Sequence, residues 1–436
     1  MRYIRRTTYL FITLCILIVS RLTVLRYCGL VHGSFSIYEC VTGNRSFKLR
    51  TRNQLALQGD KAGVIGSLKT DRNSPDVSNG QSFQTNKKSN ESEGQMKGQR
   101  SSRTCKKKIL LWANTHKSKN LQKFDNKLVG CKDINCYIRL AVGMNWHDLE
   151  DSHAVIFDHK FYKDWKSLIR RRPPNQIWIF YTRESPAHSS EKNNFPEGIS
   201  GNVHNWTKVY LSDSDIPTFY GRFVYDREKA LQDRNVNWAA NKNKLCAWVA
   251  SNCKYTSWKR LDFVARLQEY LPIDTYGRCG ITECPGDCLE FLKSYKFYLA
   301  LESHTCREYI TEKVWRNSFE ENVVPVVYGA PKEDYEKVLP PHSFIHVEDF
   351  KSFKELADFL LYLDKNNEKY NEYFRWKNLG VIYRETGSTI LTNPSLCVIG
   401  RKLVEVDTGK VAVKKQNIKA WWEGSCFTVK NPLVFS

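Results

Sequence analysis

Three short stretches carry side chains whose types and spacing could do chemistry: "REYITEKVW" (307–315), "SNCKYTSWKR" (251–260) and "YTRESP" (181–186). In the first, Lys313 falls in the opening turn of a helix expected to begin at Thr311. Thr311 is a favourable N-cap, and Ile310 with Trp315 would form the hydrophobic staple. A cation in a first turn opposes the helix dipole. The dipole and free N–H groups of a helix N-terminus are, however, a natural phosphate site, and a bound phosphate would make the lysine comfortable. Without such a ligand, Lys313 is an ordinary solvated surface lysine. The second stretch places Lys259 and Arg260 at the start of another helix. If both helices follow strands of one parallel sheet, Arg260 and Lys313 face a single cleft at the strands' carboxyl ends. Glu312 cannot bind phosphate directly, but it can accept hydrogen bonds from ribose hydroxyls. Neither a Walker-type glycine loop nor GxGxxG is present, which sets aside standard NTPases and dinucleotide enzymes.

The elements that must position these groups are legible as apolar runs. "KKILLWAN" (107–114), "AVIFDH" (154–159) and "QIWIFYT" (176–182) read as buried strands of a first α/β unit over residues 105–240. "LCAWVASN" (245–252), "IDTYG", "KFYLALES" (296–303) and "NVVPVVYG" (322–329) read as a second set over 241–380, with helical patterns between them. Uniformly apolar strands fit parallel sheets covered on both faces. Long helices are expected over 352–376, and residues 381–436 form a C-terminal extension. The expected fold class is α/β with two Rossmann-like domains and a cleft between them.

The 436 residues carry a formal charge of +21, which suggests an anionic partner without naming one. A nucleic-acid partner rests on that charge alone. Residues 1–30 begin with Arg2, Arg5 and Arg6 before an apolar run from Tyr9 to Val19, broken by Arg21. The expectation is a single-pass signal-anchor with its basic end in the cytosol, a cleaved signal peptide being the alternative. Residues 31–104 are polar and aperiodic, and read as a flexible stem. Sequons at Asn44, Asn90 and Asn205, and twelve cysteines beyond residue 30, agree with an oxidising lumen. "CGITECPGDC" (279–288) reads as disulfides, with zinc as the alternative.

A long, ordered run, "YKFYLALESHTCREYITEKVWRNSFEENVVPVVYGAPKEDYE" followed by "SFIHVEDF", closely resembles the donor-binding region of the α1,3/4-fucosyltransferases, glycosyltransferase family ten. "WIFYTRESP", "VYLSDSDIPTFYGRF", "AWVASN" and "YFRWK" extend the resemblance over most of residues 107–380. It implies the GT-B architecture and a Golgi type II enzyme with a luminal catalytic domain. It further implies inverting transfer of L-fucose from GDP-β-L-fucose to GlcNAc of glycans, with no metal or other cofactor required. Inversion is a single displacement and needs one general base. Glu184 matches the glutamate to which the family's base role is attributed, and lies just past a strand, facing the expected cleft. Arg260 and Lys313 match diphosphate positions, Glu312 the ribose acid, and Tyr309 an aromatic of the nucleotide pocket. Trp315 and Phe319 share a helical face and read as core.

"SDSDI" contains Asp213 and Asp215 in a D-x-D spacing, but the resemblance implies a structural or acceptor-side role rather than a metal site. The chain departs from the family pattern at Ser303, where an asparagine is usual, and at Leu211, where an arginine is usual. Its C-terminal cysteine motif keeps Cys397 but has Gly400 in the second position, which leaves Cys426 to pair differently. Fucosylation of a protein hydroxyl and a donor-binding pseudoenzyme remain the alternative functions.

Overall fold

The uniformly apolar runs become the central strands of two separate sheets. The computed structural model describes residues 104–428, except 115–118, 162, 190–194, 196–202, 233–234, 285, 287, 387–390 and 414–416. The expected anchor and stem and the sequons at Asn44 and Asn90 lie outside the described residues. Among the described residues, no helix is long and apolar enough to cross a membrane.

The first sheet contains β1 (Cys105–Trp112), β2 (Lys127–Cys131), β3 (Cys136–Gly143), β4 (Ala154–Asp158), β5 (Ile177–Tyr181) and β6 (Trp206–Lys208), in the order β2-β3-β1-β4-β5-β6. All pairings are parallel except the β2–β3 hairpin. A two-stranded antiparallel ribbon joins β7 (Gly221–Tyr225) to β13 (Gly380–Arg384). The second sheet holds β8 (Lys244–Val249), β9 (Ile273–Tyr276), β10 (Tyr295–Leu301), β11 (Val324–Tyr328) and β12 (Ile345–His346). Its order is β12-β11-β10-β8-β9, and every pair is parallel. These are two Rossmann-like sheets, and the chain has the GT-B type of architecture.

Strand periodicity divides each core into two layers. On β10, Phe297, Leu299 and Leu301 face a cluster that includes Phe263, Val264 and Leu267 of the helix Arg260–Leu267 and Leu356 and Leu360 of the helix Phe353–Lys365. Tyr298 and Ala300 face the opposite cluster, with Trp315, Phe319 and Trp376. Each such fully buried large apolar side chain contributes about 1.5–3 kcal/mol. Trp315 and Phe319 are core residues, as their spacing implied.

The C-terminal extension returns to the first sheet. Leu396, Ile399 and Leu403 of the helix Asn393–Asp407 pack on Ile138, Leu140 and Ile156. A Cβ on Gly400 would come within 2.5 Å of Ile138 Cδ1, so the position where the family pattern has cysteine is filled here by close helix–sheet packing. The disulfides are Cys105–Cys136, Cys131–Cys397, Cys253–Cys279, Cys284–Cys288 and Cys306–Cys426. All three cysteines of "CGITECPGDC" are therefore oxidised, and the zinc alternative for that loop falls.

Candidate active site between the two sheets

The second sheet reverses strand order around β8. From β8 the chain passes to β9 on one side, then returns to place β10 on the other. Ligand crevices form outside the carboxyl ends of strands at such a switch point. A cavity of about 680 Å³ opens there, lined by Ala250–Tyr255 after β8 and Ser303 after β10. Glu184 and His188, from the segment after β5, close it from the first sheet's side. All five residues expected in the site (Glu184, Arg260, Tyr309, Glu312 and Lys313) line this one cavity.

Arg260 is only 3% exposed. Its guanidinium donates to Leu301 O at 3.1 Å and to Asn252 O, and its Nε has no partner. Burial pulls its pKa below the ordinary arginine value. No carboxylate forms an ion pair with it among the described residues. A buried cation satisfied only by carbonyls favours an anion from outside.

Lys313 has a different setting from the one the helix-dipole argument expects. Its Nζ lies 2.9 Å from Glu302 Oε2, 2.8 Å from Thr311 Oγ1 and 3.1 Å from Glu312 Oε1. Burial works against its charge, but Glu302 and Glu312 hold its pKa above the ordinary lysine value. Carboxylates of the chain itself therefore make the lysine comfortable. Thr311 occupies the N-cap, but its hydroxyl bonds Glu302 rather than capping a helical N–H. The helix itself has a single α turn, Glu312–Val314, and continues as a π-helix over Trp315–Glu320. The Ile310–Trp315 contact is present, with Trp315 Nε1 donating to Ile310 O at 3.2 Å.

Glu302 has no solvent exposure, and its Oε1 also accepts from Thr311 N at 2.8 Å. Gly329 makes room for it: at φ +140° the glycine conformation is one that L side chains rarely adopt, and an added Cβ would stand 2.6 Å from Glu302 Cβ. The Glu312 side chain is 47% exposed; what burial it has works against its charge, but the adjacent Lys313 holds its carboxyl below the usual range. Tyr309 is buried, and its hydroxyl stands 3.5 Å from Glu184 Oε2, at the limit of hydrogen bonding. It therefore lies against the carboxylate of the opposite half as well as near Glu302 and Glu312. Glu184 is half-buried, with its N–H donating to Thr182 Oγ1 at 3.0 Å.

Asp213 and Asp215 do not line the cavity. Asp215 Oδ2 accepts from Thr207 N and Oγ1 at 2.9 and 3.0 Å. Asp213 pairs with Arg307 at 2.8 Å, and Ser212 Oγ donates to Glu308 at 2.6 Å. The "SDSDI" segment thus clasps the loop that leads to Lys313. Leu211 is core, packed with Phe180, Tyr309 and Trp422, and does not line the cavity. Ser303 does line it, and its Oγ lies 3.0 Å from His304 Nδ1. Asn205 is half-buried; its Oδ1 accepts from Trp178 N at 2.8 Å and from the Arg172 guanidinium.

The lining also includes residues that no local pattern marked: His188, Tyr220, Lys254, Tyr255, Arg278 and Asn317. Cys253–Cys279 joins the loops that carry Lys254 and Arg278, which is why two cations distant in sequence reach one rim.

Two Rossmann-like sheets thus face one cation-lined cavity with an opposed carboxylate, in a GT-B type of architecture. The family model "Glycosyltransferase family 10 (fucosyltransferase) C-term" matches residues 239–421, and "Fucosyltransferase, N-terminal" matches residues 104–221. The chain is 33% identical over 331 residues to the Caenorhabditis elegans protein "Alpha-(1,3)-fucosyltransferase fut-1", covering 74% of this chain and 70% of that one. It is 41% identical over 218 residues to the Drosophila melanogaster "Glycoprotein 3-alpha-L-fucosyltransferase A", covering 48% of this chain and 42% of that one. Among solved structures, an α1,3-fucosyltransferase crystallised with GDP-fucose aligns with a TM-score of 0.46 at 19% identity, over 74% of this chain and 96% of that one. The chain belongs to glycosyltransferase family 10, the fucosyltransferases. It spans about half the length of several curated relatives that it matches.

Proposed function

We propose that the chain is an inverting α1,3-fucosyltransferase that moves L-fucose from GDP-β-L-fucose to GlcNAc of protein- or lipid-linked glycans. The observation that carries this reading is the opposition across one cavity of Glu184 and the carbonyl-satisfied Arg260. GDP's diphosphate would take the anion position at Arg260, with Lys313 beside it and Glu312 available to ribose hydroxyls. Glu184 would accept the proton of the acceptor hydroxyl as that oxygen bonds to the anomeric carbon. The bond from that carbon to the β-phosphate oxygen breaks, and its electron pair leaves with GDP. The cations offset the charge developing on the phosphate, so the transfer needs no divalent metal. The basic N-terminus and apolar run of residues 1–30 support a single-pass Golgi membrane protein with the catalytic part in the lumen.

The test is transfer from labelled GDP-fucose by the full chain in excess EDTA. The acceptors are N-acetyllactosamine, an N-glycan with an intact chitobiose core, and a folded disulfide-rich protein module. Labelling of either glycan supports the reading and selects the acceptor. Labelling of the protein module alone replaces it with protein O-fucosylation. GDP binding without any transfer points to the pseudoenzyme that Ser303 suggests.

A further inference from the structure

Two histidines converge on Glu184. One ligand atom each from His159, Glu184 and His188 lies within 4.8 Å of the others. The convergence follows from the sheet. β4 and β5 are parallel neighbours with Asp158 opposite Tyr181, and His159 N donates to Tyr181 O at 3.2 Å. The residues just past both strands therefore stand side by side. In "ESPAH" the chain then turns through the short helix Pro186–Ser189, which brings His188 back beside Glu184.

Two imidazoles and one carboxylate are the donor set of a zinc centre with an open fourth position. Imidazole donors favour zinc, copper or nickel over magnesium or calcium. His159 also has the outer support that ligating histidines use. Its buried ring places Nδ1 3.1 Å from Asp158 Oδ1 and 3.0 Å from Thr182 Oγ1, which leaves Nε2 as the nitrogen available to an ion. Glu184 and His188 line the cavity, so an ion has a route in and a position for water. A tetrahedral zinc with bonds of about 2.0 Å keeps its ligands about 3.3 Å apart, so the three groups close on it by side-chain movement. Among the cations of the cavity, Lys313 opposes a bound ion little, because Glu302 and Glu312 pair with it. Arg260, which pairs with no carboxylate among the described residues, opposes it more.

We propose that His159, Glu184 and His188 form a binding site for one divalent ion of the zinc class, and that the bound ion inhibits the enzyme. Inhibition follows because the metal takes the carboxylate lone pair that must receive the acceptor's proton. This second half rests on the base role of Glu184 given above; the binding half does not.

The test uses the full chain without a polyhistidine tag, stripped with EDTA and dialysed. Cobalt(II) is titrated and followed by the strong visible bands of four-coordinate cobalt, and zinc is then added to displace it. One equivalent is expected in the wild type, with affinity weakened at least about tenfold in His188→Ala. His188 is half-buried at the cavity wall, and a circular dichroism spectrum checks that the variant is folded. Zinc should suppress transfer in the wild type, and EDTA should restore it. Absent four-coordinate cobalt, or affinity unchanged in His188→Ala, overturns the site. Zinc bound at the site with undiminished transfer overturns the inhibition. A chain that binds cobalt through His188 but never transfers fucose supports the site while removing the proposed function. Active transfer without metal binding does the reverse.

Discussion

Lys313 and Glu302 form an ion pair at 2.9 Å in which the carboxylate is wholly buried and the lysine is 15% exposed. Each explains the other. Glu302 follows β10, and Lys313 is the second residue of the helix Glu312–Val314 that comes next, so the pair ties the two ends of the connection together. Thr311 bonds both partners.

Removing one partner leaves the other charge buried and uncompensated. Lys313→Met is expected to cost about 3–5 kcal/mol of folding stability, read as a fall in the urea midpoint. The double variant Glu302→Gln with Lys313→Met should recover much of that loss, because neither change then strands a charge. A loss below about 1 kcal/mol in the single variant would mean that solvent, rather than Glu302, carries the lysine's charge.

Arg260, on the cavity wall, donates to two backbone carbonyls and lies over the Trp248 ring. Arg260→Lys keeps the charge but loses the fixed fork of N–H groups that holds Leu301 O and Asn252 O. GDP affinity should fall about tenfold to a hundredfold, or about 1.4–2.8 kcal/mol, by calorimetry. Unchanged affinity would place the diphosphate elsewhere in the cavity.

Three buried histidines make stability depend on acid. Burial pushes His204 down to about 3, and His304 and His346 down to about 4. In the unfolded chain they titrate near about 6.5. Below that value the unfolded chain takes up protons that the folded one refuses. Their contribution is therefore complete above about pH 6.5 and is lost as the pH falls toward the folded values, by up to about 1.4 kcal/mol per pH unit for each. Urea midpoints at pH 7 and pH 5 measure it. His204 is ringed by Phe157, Trp165, Phe180 and Phe195, and neither of its ring nitrogens has a partner. His204→Phe should accordingly flatten the decline, and an equal decline in the variant would contradict this assignment.

The strands were legible because burial on both faces writes itself as unbroken apolar runs, as in "IWIFY" and "VPVVY". The site residues were legible as far as they follow those strands or open the next helix: Glu184, Arg260, Glu312 and Lys313 all do. What stayed hidden depends on register or on distant parts of the chain. "ESH" reads as a departure at Ser303, while its Glu302 is the partner that decides the state of Lys313. His159 and His188 meet Glu184 only through the alignment of β4 with β5. β7 pairs with a strand more than 150 residues later, and Cys131 finds Cys397 across 266 residues. No local pattern encodes those pairings. The dipole argument for Lys313 failed for a specific reason: a buried carboxylate outweighs the partial charge of a single helical turn.

The central claim is that Glu184 takes the acceptor's proton while the opposite half holds the nucleotide. Glu184→Gln keeps the shape and removes the base. GDP affinity by calorimetry should remain within about threefold of wild type, a change of less than about 1 kcal/mol. The turnover rate on the best acceptor should fall by about 10²–10⁴. A glutamine variant that binds GDP normally and still turns over at the wild-type rate would contradict the account.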